Sequence, residues 1–191
     1  SLTMPAGTVF NTDVDGVSYN FSTITDVTKS NTGNSIPFTN IDIYEGTFIT
    51  TRYSVDSSDV DQRFLLTDNR ADTTTLTVKV QTSSSDSTTT TYTKATDITQ
   101  LTTSSNVYFL QEVEAGVFEI YFGDGIIGSA LSDGNIIILT YVVSNKSLAN
   151  GAALFDNAAT IAAVSDISVA TVAAASAGSE PESLQSIKYN A

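Results

Sequence analysis

Four carboxylates lie close together in the sequence, and paired carboxylates are the usual equipment of glycoside hydrolysis. They are Glu112, Glu114, Glu119 and Asp124. If residues 107–113 form a strand that continues to Glu114, Glu112 and Glu114 share one face, which a hairpin normally exposes to water. The chain also has no Trp to stack on a sugar. We therefore interpret these groups as solvated surface charge and expect no catalytic residue.

The segment Asp13-Val14-Asp15-Gly16 resembles the opening of a calcium-binding loop. Such a loop needs a bidentate Glu at its twelfth position, and that position is Ile24 here. The segment therefore predicts a plain Asp-Gly turn and no metal site.

A second glycine-rich turn, Phe122-Gly123-Asp124-Gly125, could be taken for an anion-binding loop. A phosphate loop continues with Lys and Ser or Thr and then a helix, whereas this one continues with Ile126-Ile127-Gly128. We interpret it as a tight turn in which Asp124 hydrogen-bonds its own backbone.

The composition narrows the chemistry further. The 191 residues include no Cys and no His, which excludes disulfides, thiolate metal sites and Ser-His-Asp or Cys-His catalysis. The net charge is −13, and the eight basic residues are scattered, so we expect no nucleic-acid partner and repulsion from an anionic membrane. The longest apolar run, Ile136–Val143, is too short to span a bilayer. We expect no cofactor, no metal and no small-molecule substrate.

The hydrophobic pattern is that of strands. In residues 75–81, Leu76, Val78 and Val80 alternate with polar residues and should share one face. Glu114-Ala115-Gly116 separates the runs 107–113 and 117–122 and predicts a hairpin. We predict a mainly-β protein: an antiparallel β-sandwich or barrel-like core domain with an inserted second β domain and a short C-terminal helix.

Three other segments carry specific expectations. Residues 82–91, nine of which are Ser or Thr, should form an exposed loop or hairpin tip that is a possible contact surface. Residues 97–105 contain one plausible helical turn. The Ala-rich stretch 158–177 is β-branched at intervals and favours two strands over a helix. Ser179 and Pro181 suit the start of a helix that continues through residues 180–187.

Aromatic residues are concentrated in the predicted 107–128 hairpin. Tyr108 and Phe109 are neighbours, so one should enter the core and the other should face solvent or a subunit. The candidate interface residues are Tyr108, Phe109, Phe118, Tyr121 and Phe122. Elsewhere, we expect Glu45 to pair with Arg52 across a turn, with a contribution of about 0–1 kcal/mol if the pair is exposed.

Several short motifs, in this order, resemble one family. They are MPAGTVF (4–10), IYEGTF (43–48), YFGDGIIG (121–128), SDGNIIILTYVVSNKSLANGA (132–152) and SAGSEPESLQSIKYNA (176–191). Together they resemble the baseplate wedge proteins of T4-like contractile-tailed phages, the gene product six family, which is related to the wider Baseplate J family.

The resemblance implies a domain organisation and a structural role. Residues 4–39 plus 148–178 would form a discontinuous core β domain, residues 40–147 an inserted β domain, and residues 179–191 the start of a helix leading to a further region. The implied function is to multimerise and to hold neighbouring wedge proteins in the virion tail baseplate, assembled in the bacterial host cytoplasm, with no enzymatic activity. The implied partners are other copies of the chain and other baseplate wedge proteins.

The residues leave one alternative of another class open. Ser/Thr-rich acidic strands also suit a receptor-binding or adhesin-like β module that recognises sugar or Ca²⁺. Thermal stabilisation by Ca²⁺ would favour that alternative over the wedge protein.

Overall fold

The computed structural model describes residues 1–30, 33–59, 62–114, 116–157 and 160–180, and these residues form strands almost throughout their regular structure. The strands are β1 (Leu2–Met4), β2 (Val9–Val14), β3 (Val17–Ser22), β4 (Val27–Lys29), β5 (Tyr44–Glu45), β6 (Thr47–Ser54), β7 (Phe64–Leu66), β8 (Ala71–Gln81), β9 (Thr89–Lys94), β10 (Val107–Glu114), β11 (Val117–Phe122), β12 (Ile136–Val143) and β13 (Asp156–Asn157). A single 3-10 turn, Ile98–Gln100, is the only helical element within these ranges. The chain divides into two compact units, Ser1–Thr47 with Ser144–Ala191, and Phe48–Val143.

The unit Phe48–Val143 is built on a seven-stranded, nearly closed, barrel-like sheet. Its strand order is β6-β12-β8-β9-β10-β11-β7, so β6 and β7 are the two edges. The Tyr53 hydroxyl on β6 donates a 2.7 Å hydrogen bond to the Leu65 carbonyl on β7. This bond and the edge-to-face packing of Tyr53 on Phe64 join the two edges. Side-chain contacts therefore connect the two strands that have no backbone ladder between them.

The interior of this barrel is apolar and receives side chains from every strand. Alternate residues of β12 point inward, and Ile137, Leu139 and Tyr141 are fully buried. Val78 and Val80 pair with Leu139 and Ile137 across the antiparallel β8–β12 ladder. The predicted inward face of residues 75–81 is therefore confirmed, because Leu76 packs against the same core.

One buried polar side chain repairs an irregularity in this ladder. The β8–β12 register shifts between Thr140 and Val142, which frees a backbone donor. Thr75 is only 2% exposed. Its hydroxyl accepts a hydrogen bond from the Val142 N–H at 2.9 Å and donates one to the Asp72 carbonyl at 2.7 Å. The Val142 N–H at the bulge therefore has a hydrogen-bond acceptor within the sheet.

The other unit contains a four-stranded sheet, in the order β13-β2-β3-β5, and the pair β1-β4. Strands β2 and β3 meet at Asp15-Gly16, both with positive φ (53° and 81°). This is the turn typical of a two-residue hairpin, and the predicted Asp-Gly turn is confirmed. The core of the unit includes Met4, Phe10 and Phe21, and Phe21 packs edge-to-face on Phe155 at 4.9 Å.

Two sequence predictions fail here. The described part of the Ala-rich stretch, residues 160–177, contains no strand, and Ile161 and Val164 form only an isolated bridge. Ala162 and Ala163 have positive φ (46° and 68°), so the backbone turns where the pattern favoured extension. The C-terminal helix is not borne out among the described residues: Ser179 and Glu180 are not helical, and residues 181–191 lie outside the described ranges.

The main fold prediction is confirmed, since the described residues are mainly β with a barrel-like sheet. The helical turn expected in residues 97–105 is present as Ile98–Gln100, and the Asp97 side chain caps it by accepting the Thr99 N–H. No helix in the described part of the chain is long and apolar enough to cross a membrane.

Candidate interaction surface

Strands β10 and β11 form an antiparallel hairpin of the barrel with two aromatic faces. Tyr108 pairs with Phe122, and Phe109 pairs with Tyr121. Tyr108 is 5% exposed and lies in the barrel core, where Phe122 packs edge-to-face on Phe64 and Tyr92. Side chains alternate along strands, so the second pair lies on the outer face of the barrel.

The outer pair is a stacked pair of rings. The ring centroids of Phe109 and Tyr121 lie 5.1 Å apart with an interplanar angle of 13°. Tyr121 remains 45% exposed, although its backbone belongs to the β10–β11 ladder. Cross-strand aromatic pairs of this kind stabilise a sheet, and the exposed ring surface is also available to a partner.

A glycine-rich loop, residues 123–128, follows β11 on the same side. The Asp124 carboxylate accepts the N–H groups of Ile126 and Ile127, both at 2.9 Å. These two backbone hydrogen bonds hold the pKa of Asp124 below its ordinary value, because they favour the charged form. The predicted role of Asp124, bonding its own backbone, is confirmed.

The glycines of this loop have distinct reasons to be glycine. A Cβ at Gly123 would lie 2.5 Å from the Ile127 carbonyl oxygen, so the close approach of the backbone excludes a side chain. Gly125 and Gly128 have positive φ (84° and 83°). The loop is thereby closed on itself, and the Gly125 N–H donates to the Gly128 carbonyl at 3.1 Å.

The loop lies over part of the outer face and presents two isoleucines. Val107 is on the same side as Phe109 but is only 7% exposed, and a Cβ at Gly128 would lie 3.0 Å from its Cγ2 atom. The Gly128 N–H donates to the Thr102 carbonyl at 3.1 Å, which fixes the loop to the segment after the 3-10 turn. Ile126 is 74% exposed and Ile127 is 40% exposed. We call Phe109, Tyr121, Ile126 and Ile127 the outer apolar patch.

Three of the carboxylates that could have suggested a hydrolase, Glu112, Glu119 and Asp124, have a local partner. Glu112 accepts the Gly116 N–H at 3.0 Å in its own hairpin turn, where Gly116 has a φ of 86°. Glu119 forms an ion pair with Arg63 at 3.3 Å. Nowhere in the described ranges do three or more Asp and Glu side chains gather so that they could hold a metal ion.

The Ser/Thr-rich segment is the tip of the β8–β9 hairpin. Residues 82–88 connect the two strands, while Thr89, Thr90 and Thr91 belong to β9. Asp86 accepts the Thr88 N–H at 2.9 Å, and the hydrogen bonds from Thr88 lower the pKa of Asp86. The expected exposed hairpin tip is confirmed, and its polar groups bond mainly to one another.

The structure separates the five predicted interface residues into two groups. Tyr108, Phe118 and Phe122 pack on the barrel core, and only Phe109 and Tyr121 lie on the outer face. The sequence reasoning missed Ile126 and Ile127 as surface residues. The available signal was two adjacent isoleucines inside a turn that contains three glycines, where a strand cannot bury them.

Residues 50–153 of the chain match the family model described as bacteriophage baseplate wedge protein gp6, third domain. The match covers more than half of the 191 residues and includes nearly all of the barrel unit. No curated protein matches the chain.

Proposed function

The chain belongs to the bacteriophage baseplate wedge protein gp6 family, and on that premise we propose that it multimerises and holds neighbouring proteins in the baseplate. Its coarser role follows from the family: it is a structural component of the virion tail baseplate. The finer role needs a surface on which another subunit can rest.

The observation that carries the proposal is the outer apolar patch on an ordered barrel wall. Monomeric proteins rarely leave contiguous apolar surface exposed unless it is used. Here the two stacked rings of Phe109 and Tyr121 lie on a hydrogen-bonded ladder, and the loop with Ile126 and Ile127 is closed by its own hydrogen bonds. This surface is therefore preorganised, and binding a partner here would cost the chain little conformational entropy.

We also propose that the chain is not an enzyme. The family is a structural one, and the composition lacks the His and Cys side chains that serve most often as general base or nucleophile. The described carboxylates Glu112, Glu119 and Asp124 are engaged in local hydrogen bonds or an ion pair. Such groups support the fold and do not converge on a common point.

The proposal is tested by sedimentation velocity of the purified chain, alone and mixed in turn with each other baseplate protein of the same virion. We expect a faster-sedimenting complex with at least one of them, or a homo-oligomer. Runs with 2 mM CaCl₂ and with EDTA form a second arm, together with thermal melts. A chain that stays monomeric in every mixture but gains thermal stability with Ca²⁺ would contradict the proposal and favour a calcium-dependent binding module.

A further inference from the structure

We propose that, independently of the baseplate role, Asn150 is a deamidation site that the fold protects, and that deamidation irreversibly opens the contact between Asn150 and Gly178. Asn150-Gly151 is the only Asn-Gly pair in the 191 residues. An Asn followed by Gly deamidates most readily, because Gly has no side chain to obstruct attack by its backbone nitrogen.

The reaction consumes only water. The Gly151 backbone nitrogen gives its proton to the solvent and attacks the Asn150 Cγ atom, the Cγ–Nδ2 bond breaks, and ammonia leaves. The cyclic succinimide that results then adds water. Opening of the ring leaves either Asp or isoaspartate in place of the Asn, and isoaspartate lengthens the main chain by a methylene group.

The folded chain holds both reacting groups in hydrogen bonds. The Gly151 N–H donates to the Ala175 carbonyl at 2.8 Å. The Asn150 side chain uses both of its polar atoms on Gly178: Nδ2 donates to the carbonyl at 2.8 Å, and Oδ1 accepts the N–H at 3.0 Å. For the nitrogen to reach Cγ, the carboxamide must turn and these bonds must break. We therefore expect deamidation to proceed from a locally open state.

Neighbouring contacts keep this state rare. Gly178 has no room for a side chain, since a Cβ there would overlap the Lys146 carbonyl oxygen. Glu180 pairs with the Lys146 ammonium at 3.4 Å and accepts the Ser147 hydroxyl at 3.2 Å. The segment that contains Gly178 is thus held at several points, and a substitution that adds a side chain to Gly178 should open it.

The product cannot restore the contact. The Asn150 carboxamide is both donor and acceptor, whereas a carboxylate only accepts. The oxygen that replaces Nδ2 would face the Gly178 carbonyl oxygen with no proton between them, so a hydrogen bond becomes a repulsion. A virion makes no new protein, so a subunit of the tail baseplate keeps an intact Asn150 only while this contact holds.

The test follows deamidation of Asn150 by peptide mass spectrometry in the purified full chain at mildly alkaline pH, folded and unfolded in urea. Gly178→Ala opens the contact by overlap with the Lys146 carbonyl. Glu180→Ala is the second opening variant, because it removes both contacts of Glu180 and adds no bulk. Ser179→Ala, at an exposed neighbouring position, is the control. Thermal unfolding checks that each variant is folded.

We expect Asn150 to deamidate at least about tenfold more slowly in the folded chain than in the unfolded chain. Gly178→Ala should remove most of this protection, Glu180→Ala should reduce it several-fold, and Ser179→Ala should leave it unchanged. Equal rates in the folded and unfolded chain would overturn the inference. So would folded opening variants that are as well protected as the original chain.

Asn150→Asp tests whether the contact is lost after the reaction. Hydrogen exchange measured by NMR should be several-fold faster at the Gly151 N–H than in the original chain. Exchange at the Val142 N–H, which is bonded to Thr75 inside the barrel unit, should be unchanged and shows that the variant is folded. Unchanged exchange at Gly151 would mean that a carboxylate keeps the contact closed, and would overturn the irreversible opening.

Discussion

The carboxylate of Glu45 accepts two hydrogen bonds from one residue, Asn145, which lies 100 positions further along the chain. The backbone N–H donates at 2.7 Å and the side-chain amide at 2.8 Å. Glu45 ends β5 just before the chain enters the unit Phe48–Val143, and Asn145 follows just after the chain leaves it. The pair therefore fixes, within its own unit, the two points where the chain departs and returns.

This contact replaces the partner expected from the sequence. Arg52 lies near a different group, with its Nη1 atom 3.4 Å from the Gln81 side-chain oxygen. The prediction that Glu45 pairs with Arg52 is wrong. The Glu45 carboxylate accepts its hydrogen bonds from Asn145, which is 100 positions away in the sequence and so could not be identified from the residues near Glu45.

Glu45→Ala should lower the free energy of unfolding by about 1–2 kcal/mol, because two hydrogen bonds to a charged acceptor are lost. Urea unfolding followed by circular dichroism measures the change. Asp42→Ala, three residues earlier at an exposed site, is the matched control and should change stability by less than about 0.5 kcal/mol. Equal effects of the two substitutions would mean that the Asn145 contact contributes nothing.

Leu139→Ala should destabilise the barrel by about 2–5 kcal/mol, because Leu139 is fully buried and its truncation leaves a cavity in the barrel interior. Leu154→Ala removes the same number of carbons from an 84% exposed side chain and should cost little. Thermal and urea unfolding of both variants give the comparison. A small effect at Leu139 would show that the barrel interior is not packed as described.

Tyr53→Phe should cost about 1 kcal/mol, since it removes the hydroxyl that joins β6 to β7 through the Leu65 carbonyl. Burial raises the pKa of Tyr53 above its ordinary value of 10.0. The stabilisation is then complete below pH 10 and is lost as the pH rises through the higher folded-state pKa.

Urea unfolding between pH 8 and pH 11 should thus show a steeper alkaline loss for the original chain than for Tyr53→Phe. Tyr121→Phe, which removes a hydroxyl from an exposed ring, is the control and should follow the original chain. Parallel alkaline curves for Tyr53→Phe and the original chain would mean that the Tyr53 hydroxyl is not buried in the folded state.

Residues 48–143, expressed alone, should fold into a β-rich monomer with one cooperative unfolding transition. They form one of the two compact units and contain the complete barrel core. Circular dichroism and dispersion of amide signals in NMR measure the outcome. An unfolded fragment would contradict the view that this unit is an inserted domain that folds by itself.

The sequence predicts the parts of this fold that depend on neighbouring residues. Alternation in residues 75–81 and the Glu114-Ala115-Gly116 turn give β8, β10 and β11 correctly, because period-two burial and a positive φ at Gly116 are local properties. The prediction of strands in residues 158–177 fails because Ala side chains bury too little area to fix a ladder. That segment is instead held at single points, such as the hydrogen bonds of Ala175 with Gly151 and Ala152.

The sequence predicts only part of the candidate surface, because the rest of it depends on long-range contacts. That Tyr108 and Phe109 face opposite ways follows from strand geometry, but the face that becomes the interior depends on how the sheet curves. Curvature is fixed by long-range pairing such as the parallel contact between Val107 and Thr93. The exposure of Ile126 depends on the 123–128 loop binding to Thr102, which no local pattern specifies.

The most direct test replaces Tyr121 with a photo-crosslinking benzoyl-phenylalanine in the phage itself and maps the cross-links in assembled tails by mass spectrometry. The account predicts that Tyr121, exposed in the isolated chain, cross-links to a peptide of another subunit in the assembled tail. Assembled, infectious tails in which this position forms no cross-link to any other subunit would contradict it.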